Sequence, residues 1–111
     1  MEITNFGHFK CSNPDAVGVI YYANEDGQDW YEMRRSLTEW DINGAFINAI
    51  YGAWATIDPE TGELKNVEQD PSRLVPDDRL VLGIDAGYWE IKPSMVYQDG
   101  QLVTPAKEDA A

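Results

Sequence analysis

Four carboxylates cluster between Glu25 and Glu32 and are the first candidates for chemistry. Carboxylate oxygens are the ligands that calcium prefers, and an EF-hand loop places them at fixed positions that end in a bidentate glutamate. The spacing here does not match such a loop, and the adjacent Asp77 and Asp78 form an equally unspecific pair. Solvated loop carboxylates are the preferred interpretation, and weak calcium binding is the alternative.

A nucleophile with its base is difficult to build from this chain, because His8 is the sole histidine and Cys11 the sole cysteine. A reactive cysteine needs a lowered pKa and a partner base, and chance explains the proximity of these two residues more simply. The sequence contains no nucleophile elbow, phosphate loop or dinucleotide fingerprint. Acidic residues are so abundant that a glycosidase pair cannot be singled out. We therefore predict a protein that is not an enzyme and holds no metal or cofactor.

The charge balance narrows the classes of partner. Twenty acidic residues oppose eight basic ones, which gives a formal net charge of −12. This disfavours direct binding to nucleic acid, where affinity depends on Lys and Arg neutralising phosphates, and it disfavours an anionic membrane. No apolar run approaches the roughly 18 residues that suggest a membrane helix. The simplest interpretation is that the negative charge keeps the protein soluble through repulsion between its copies. An acidic mimic of nucleic acid is the alternative.

Aromatic residues make up 12% of the chain, and most are expected in the core. Neighbouring residues in a strand point to opposite faces. The adjacent pairs Trp30-Tyr31 and Tyr88-Trp89 therefore require either a sheet covered on both sides or an exposed ring. An exposed aromatic patch is typical of a partner surface, and glycan binding is left open. The candidate partner-binding residues are Trp30, Tyr31, Trp40, Trp54, Tyr88 and Trp89.

The clearest local pattern is Val17–Arg35. Val17–Tyr22 is apolar on both faces, which predicts a strand in the centre of a sheet. A reversal follows around Gly27, because glycine adopts positive φ without strain. Asp29–Arg35 is then expected as the partner strand, with Trp30 facing the core.

Two other segments are harder to assign. Met1–Pro14 is expected to be irregular or an edge segment, attached to the core by Ile3, Phe6 and Phe9. Apolar residues between positions 45 and 54 recur with helical spacing. They predict a short helix over Asn43–Tyr51, with a further strand as the alternative.

The second half of the chain predicts short strands separated by strong turns. Asp58–Gly62 and Asp99-Gly100 each join two strands into a hairpin. Leu74 and Val75 are expected to be buried after another turn. The predicted strands are Ala53–Ile57, Glu63–Glu68, Arg79–Ile84, Tyr88–Lys92, Met95–Gln98 and Gln101–Thr104.

These elements predict an α+β fold built mainly of antiparallel β hairpins with one short helix. The length of 111 residues fits a single small domain. We assign residues 1–104 to that domain and 105–111 to a flexible tail. One cysteine excludes an internal disulfide, which fits a reducing cytoplasm or a virion assembled there.

Three stretches, taken in order, resemble small tail proteins of lambdoid bacteriophages and prophages, which are often grouped with tail fibre assembly proteins. The first is Asn5–Phe9, and the second is Tyr22–Glu32, in which an Asp-Gly turn precedes the sequence DWYE. The third is Ile57–Pro76, which joins an aspartate turn, a strand and the sequence DPSRLVP. Together they cover roughly half of the chain.

The resemblance implies a phage tail accessory protein that assists tail fibre assembly or attachment through protein–protein contacts. Its partner would be a phage tail or tail-fibre protein, in the host bacterial cytoplasm during assembly or in the virion, and homo-oligomers are left open. The resemblance carries over no catalytic residue. The runner-up is a small acidic phage protein that inhibits a host nucleic-acid-binding protein. Such a mimic needs a continuous stripe of carboxylates, whereas the acids here fall in nearly every turn.

Overall fold

The computed structural model describes residues 2–13, 15, 18, 20–43 and 46–104. Its secondary structure consists of strands, one α-helix and two 3₁₀ turns. They are β1 (Ile3–Cys11), β2 (Tyr22–Ala23), α1 (Trp30–Ser36), β3 (Thr38–Trp40), β4 (Phe46–Ala49), β5 (Ala53–Ile57), β6 (Leu64–Glu68), a 3₁₀ turn (Pro71–Arg73), β7 (Arg79–Ile84), a 3₁₀ turn (Tyr88–Glu90), β8 (Val96–Gln98) and β9 (Gln101–Val103). The predicted tail 105–111 lies outside the described residues.

A five-stranded antiparallel sheet, in the order β2-β1-β7-β5-β6, forms the centre of the molecule. Separate two-stranded pairs are formed by β3 with β4 and by β8 with β9. The predicted α+β class, with mainly antiparallel strands, one short helix and a single small domain, is confirmed. No helix in the described ranges is long and apolar enough to span a bilayer.

Both faces of the sheet are apolar and both are covered. On one face, the hairpin-side cluster packs the sheet against the C-terminal segment; its buried members are Ala53, Ala55, Ile57, Leu82, Ile84, Ile91 and Leu102. On the other face, the helix-side cluster packs the sheet against α1; its buried members are Phe9, Trp30, Trp54, Leu74 and Val81. Because successive strand residues alternate between faces, β5 is buried along its whole length.

β1 is an interior strand that pairs with β2 on one side and β7 on the other, so the prediction of an irregular or edge segment is wrong. The register shifts between Asn5 and Gly7. Such a bulge changes which residues share a face, so that Phe6 and Phe9, three positions apart, both pack on the helix-side cluster. Gly7 has φ +105°, which favours glycine.

α1 replaces the strand predicted at Asp29–Arg35. Asp29 caps the helix by accepting a hydrogen bond from the backbone N–H of Glu32 at 2.9 Å. Trp30, Met33 and Leu37 then recur with helical spacing and all pack on the helix-side cluster. The predicted strand is wrong because these apolar residues follow helical spacing and not the alternation of a strand. Trp30 faces the core, as expected.

The predicted central strand Val17–Tyr22 is also wrong in its described part. Val17 and Val19 lie outside the described residues, and the short strand β2 forms the edge of the sheet. Tyr21 is held in a loop instead, because its N–H donates to Oδ1 of Asn13 at 2.8 Å. The reversal at Gly27 is confirmed, with φ +80°.

The segment after α1 forms β3 and β4 rather than the predicted helix over Asn43–Tyr51, so the strand alternative is correct there. The hairpins around Asp58–Gly62 and Asp99-Gly100 are confirmed. Asp99 and Gly100 both have positive φ, 52° and 80°, as expected for a tight hairpin turn.

Two smaller predictions differ from the structure. Tyr88–Lys92 begins with a 3₁₀ turn rather than a strand, because the carboxylate of Glu90 accepts a hydrogen bond from the N–H of Gly87 and closes the turn. Leu74 is buried as expected, whereas the adjacent Val75 is exposed because it follows the turn on the solvent side.

The helix cap predicts a measurable stability effect. Asp29→Ala should lower the free energy of unfolding by about 1 kcal/mol, because the N–H of Glu32 loses its acceptor. Asp29→Asn should be nearly neutral, since asparagine caps as well as aspartate. Urea denaturation monitored by circular dichroism measures both. Asp26→Ala is the control for loss of a charge, and an equal loss in that variant would contradict the assignment of the cap.

Gly83 in β7 makes room for two rings. A Cβ at this position would lie 2.7 Å from Cδ2 of Tyr51 and 2.8 Å from Cε2 of Phe6. Gly83→Ala should therefore cost about 1–3 kcal/mol by overpacking. Phe6→Leu should recover part of that loss in the double variant, because the smaller side chain relieves the contact. Strictly additive losses in thermal or urea denaturation would contradict this contact.

Candidate functional site

Trp30 and Trp54, two of the candidate partner-binding residues, are interior residues. Their exposed fractions are 4% and 0%, and their rings pack edge to face with centroids 6.0 Å apart. Phe9 lies 5.6 Å from Trp30, and Phe6 lies 5.8 Å from Trp54. Both rings therefore help to form the core, and Trp30 also lines a cavity beside α1.

The side chain of Trp40 lies outside the part of the chain that the structure describes, although its backbone belongs to β3. Tyr31, Tyr88 and Trp89 are the candidate residues with exposed rings, at 43%, 45% and 68%. They belong to two separate surface features, one beside β6 and one on α1.

The first feature is the β6 groove, lined by Leu64–Val67 of β6 and by Tyr88, Trp89, Ile91 and Pro93. Its volume is about 360 Å³. One wall is the outermost strand of the sheet, and the other is the 3₁₀ turn and the residues after it. Leu64, Val67 and Ile91 also pack on the hairpin-side cluster, so the floor of the groove is continuous with the core.

Trp89 is exposed and also held in place. Its ring lies over Gly87, where a Cβ would overlap the indole. Tyr88 packs against it edge to face, with ring centroids 5.6 Å apart. Lys92 Nζ donates to the backbone carbonyl of Trp89 at 3.4 Å. A side chain fixed in this way loses less conformational entropy on binding than a free one.

The second feature is the α1 cavity, of about 240 Å³, lined by residues that include Ile20, Tyr21, Tyr31 and Arg34. The guanidinium of Arg34 lies 4.8 Å from the centroid of the Tyr31 ring, within the range of a cation–π contact. Arg35 lies 5.4 Å from the same centroid. The two guanidinium groups therefore cover part of the Tyr31 ring.

The polar residues considered for chemistry take part in local structure. Nε2 of His8 and Oδ1 of Asp78 lie 2.6 Å apart, and the N–H of His8 donates to Oε1 of Glu25 at 2.8 Å. Cys11 is a free cysteine whose Sγ is 3.7 Å from Oδ1 of Asn13. Within the described ranges, no group of three or more His, Cys, Asp or Glu side chains is placed to hold a metal ion.

Carboxylates at turns bind backbone N–H groups. Asp58 accepts from Glu60 and Thr61, and these hydrogen bonds are the main reason that the pKa of Asp58 is lowered. The pKa of Glu25 is lowered by hydrogen bonds from its own N–H and from that of His8. Each bond favours the charged carboxylate, so it also stabilises the turn at neutral pH.

Burial raises the pKa of the Tyr22 hydroxyl, and the negative charge of Asp77 raises it further. Tyr22 lines the α1 cavity. A tyrosine phenol is protonated at neutral pH at its ordinary pKa of 10.0, so the Tyr22 hydroxyl is a hydrogen-bond donor.

Comparison of the chain with protein-family models, curated proteins and solved structures finds no significant match.

Sequence reasoning missed the β6 groove itself. It identified Tyr88 and Trp89, but not their position beside β6, because the order of strands in a sheet depends on long-range pairing. A turn signal was present in Gly87, which precedes two aromatics and Glu90. In this pattern a glutamate lies three residues after the glycine, the spacing at which its carboxylate can accept the backbone N–H at the start of a helical turn.

The lowered pKa values of Glu25 and Asp58 predict that the free energy of unfolding falls at acid pH. Groups with depressed pKa in the folded state contribute stability above their ordinary values, here 4.5 for Glu25 and 3.8 for Asp58. That contribution should be lost as pH falls through the lower folded values. Urea denaturation between about pH 2 and pH 7 measures it.

Two variants test the source of this dependence. Glu25→Gln and Asp58→Asn remove the titrating groups and should flatten the fall in stability below about pH 4.5. Asp26→Asn is the control for removal of one negative charge from a turn. If stability falls at acid pH as steeply in both variants as in the wild type, Glu25 and Asp58 are not the source of the pH dependence.

Proposed function

We propose that this chain is a bacteriophage tail accessory protein that assists tail fibre assembly or attachment by direct protein–protein contact. The observation that carries the proposal is the β6 groove, where exposed Tyr88 and Trp89 lie beside β6, the outermost strand of the sheet. Aromatic anchors beside an apolar pocket are the usual energetic centre of a protein interface. The phage context comes from the resemblance of the three sequence stretches.

The residues that carry this resemblance are largely structural. Asp29 caps α1 and Trp30 fills the helix-side cluster. Asp70 caps the 3₁₀ turn by accepting from the N–H of Ser72 at 2.9 Å. Pro71 and Leu74 are buried. These motifs support a shared scaffold, whereas partner contacts are expected from the exposed surfaces.

The accessory protein would cover apolar or edge-strand surface on a fibre until the fibre trimerises or attaches. Its net charge of −12 would keep the complex soluble. The runner-up, a nucleic-acid mimic, draws on the same charge. Several of the carboxylates accept backbone N–H groups instead: Asp29 caps α1, and Asp58 and Asp70 bind turn backbone. These local hydrogen bonds explain their positions without any imitation of nucleic acid.

A tagged pull-down from an induced lysogen tests the proposal, with mass spectrometry of the bound proteins and of purified virions. We expect the wild-type chain to recover a tail fibre or tail-tip protein. The double variant Tyr88→Ala/Trp89→Ala should recover much less, because both anchors are removed. Ile42→Ala is the matched control, since Ile42 is a fully exposed apolar residue outside both surfaces.

The other outcomes are also informative. Absence of tail proteins from the pull-down, together with absence of the chain from virions, would overturn the proposed function. Recovery of a host nuclease, polymerase or repressor would favour the acidic inhibitor. Presence in virions would distinguish a structural component from a transient assembly factor.

A further inference from the structure

β6 is the outermost strand of the five-stranded sheet. Among the residues that the structure describes, its outer side has one isolated bridge, between Glu63 and Val96 just before the strand begins. The exposed edge of a sheet presents backbone donors and acceptors that can pair with another chain. The N–H of Val67 donates to Oδ1 of its neighbour Asn66 at 3.1 Å. A backbone carbonyl of an added strand could take the place of this side-chain acceptor.

The β6 groove adjoins this edge. Leu64 and Val67 of the edge strand form one side of the groove, and Ile91 contributes its apolar side chain opposite. A strand added to β6 would therefore place a side chain over an apolar pocket of about 360 Å³. Strand addition derives affinity from backbone hydrogen bonds and specificity from such pockets.

Trp89 provides a ready-made contact for the added side chain. It is 68% exposed, but its ring is fixed over Gly87 and against Tyr88. Exposed apolar surface that is already ordered gains the most on burial, because little conformational entropy remains to be lost. The groove therefore combines a hydrogen-bonding edge with a pre-positioned anchor.

The net charge of the whole chain favours a basic occupant. Glu68 ends β6 and Glu63 directly precedes it. Lys65 lines the groove with its Nζ 3.9 Å from Oδ2 of Asp58, and Nζ of Lys92 donates to the carbonyl of Trp89. The chain as a whole carries a net charge of −12. A basic segment would be attracted to this edge, whereas a second copy would bring the same −12 and be repelled.

We infer that the β6 edge and groove bind an extended basic segment of a partner protein by strand addition, with a large apolar side chain of that segment between Trp89 and Ile91. The inference deepens the proposed function and rests on it for the biological role of the partner. The binding chemistry is testable with purified protein and synthetic peptides, so that it can fail independently of the phage assignment.

The probe is a synthetic peptide of about nine residues, the length of a long strand, which alternates lysine with valine and has a central leucine. The full chain is labelled with ¹⁵N and titrated, and amide shifts are followed by NMR. A matched peptide has glutamate in place of lysine. Another has methylated backbone nitrogens at alternate positions, which keeps the side chains but blocks strand pairing.

We expect the basic peptide to shift amides of Leu64–Glu68 and Gly87–Pro93, and the acidic and methylated peptides to bind much more weakly. Trp89→Ala should weaken binding roughly tenfold or more. Gly87→Ala should weaken it several-fold while keeping the indole, because the new methyl displaces the ring. Tyr31→Ala, which removes a comparably exposed ring from the α1 cavity, should leave binding unchanged. Circular dichroism confirms that each variant folds.

Several results would overturn the inference. These are no binding of the basic peptide, equal binding of the acidic or methylated peptide, or shifts that map to the α1 cavity. Self-association through the same β6 amides, seen by analytical ultracentrifugation, would make a second copy the occupant and overturn the choice of partner. Peptide binding without capture of any tail protein would leave this chemistry standing and count against the phage role alone.

Discussion

The pairing of β7 with both β1 and β5 is the interaction on which the rest of the structure depends. β7 joins the first strand of the chain to the middle of the sequence, through partners such as Ile3 opposite Ile84 and Ala55 opposite Leu82. Its last four residues are buried, and Val81 and Leu82 belong to different clusters. A central strand that is apolar on both faces can be stable only if both faces are covered.

One face of the sheet is covered by α1 and the other by the C-terminal segment. Each of these segments also forms one of the two surface features, the α1 cavity and the β6 groove. α1 covers one face with Trp30 and leaves the following Tyr31 outside. On the other face, Ile91 is buried while Trp89, two residues earlier, is exposed beside β6. Each cover is a short element of about one or two turns. Residues close together in such elements point in different directions, so each cover buries one apolar side chain, Trp30 or Ile91, and leaves an aromatic ring exposed.

The acidic residues of the chain have both a local and a long-range effect. Carboxylates such as Asp29, Asp58 and Asp70 accept backbone N–H bonds at the ends of elements. They satisfy donors that the short elements would otherwise leave unpaired. The same charges add up to the negative field of the whole molecule. Turn chemistry and long-range electrostatics are therefore produced by one set of residues.

The sequence by itself determined the features that a few adjacent residues specify. The turns Asp58–Gly62 and Asp99-Gly100 fix their hairpins locally, and the apolar alternation of Arg79–Ile84 defines a strand wherever it lies. Only the tertiary structure decided that Ile3–Cys11 is an interior strand, that Trp30 and Trp54 meet in one core, and that β6 is an edge. The physical reason is that backbone pairing and ring packing join residues far apart in the chain, so that neither the neighbours of a strand nor the exposure of an aromatic is encoded in the residues beside it.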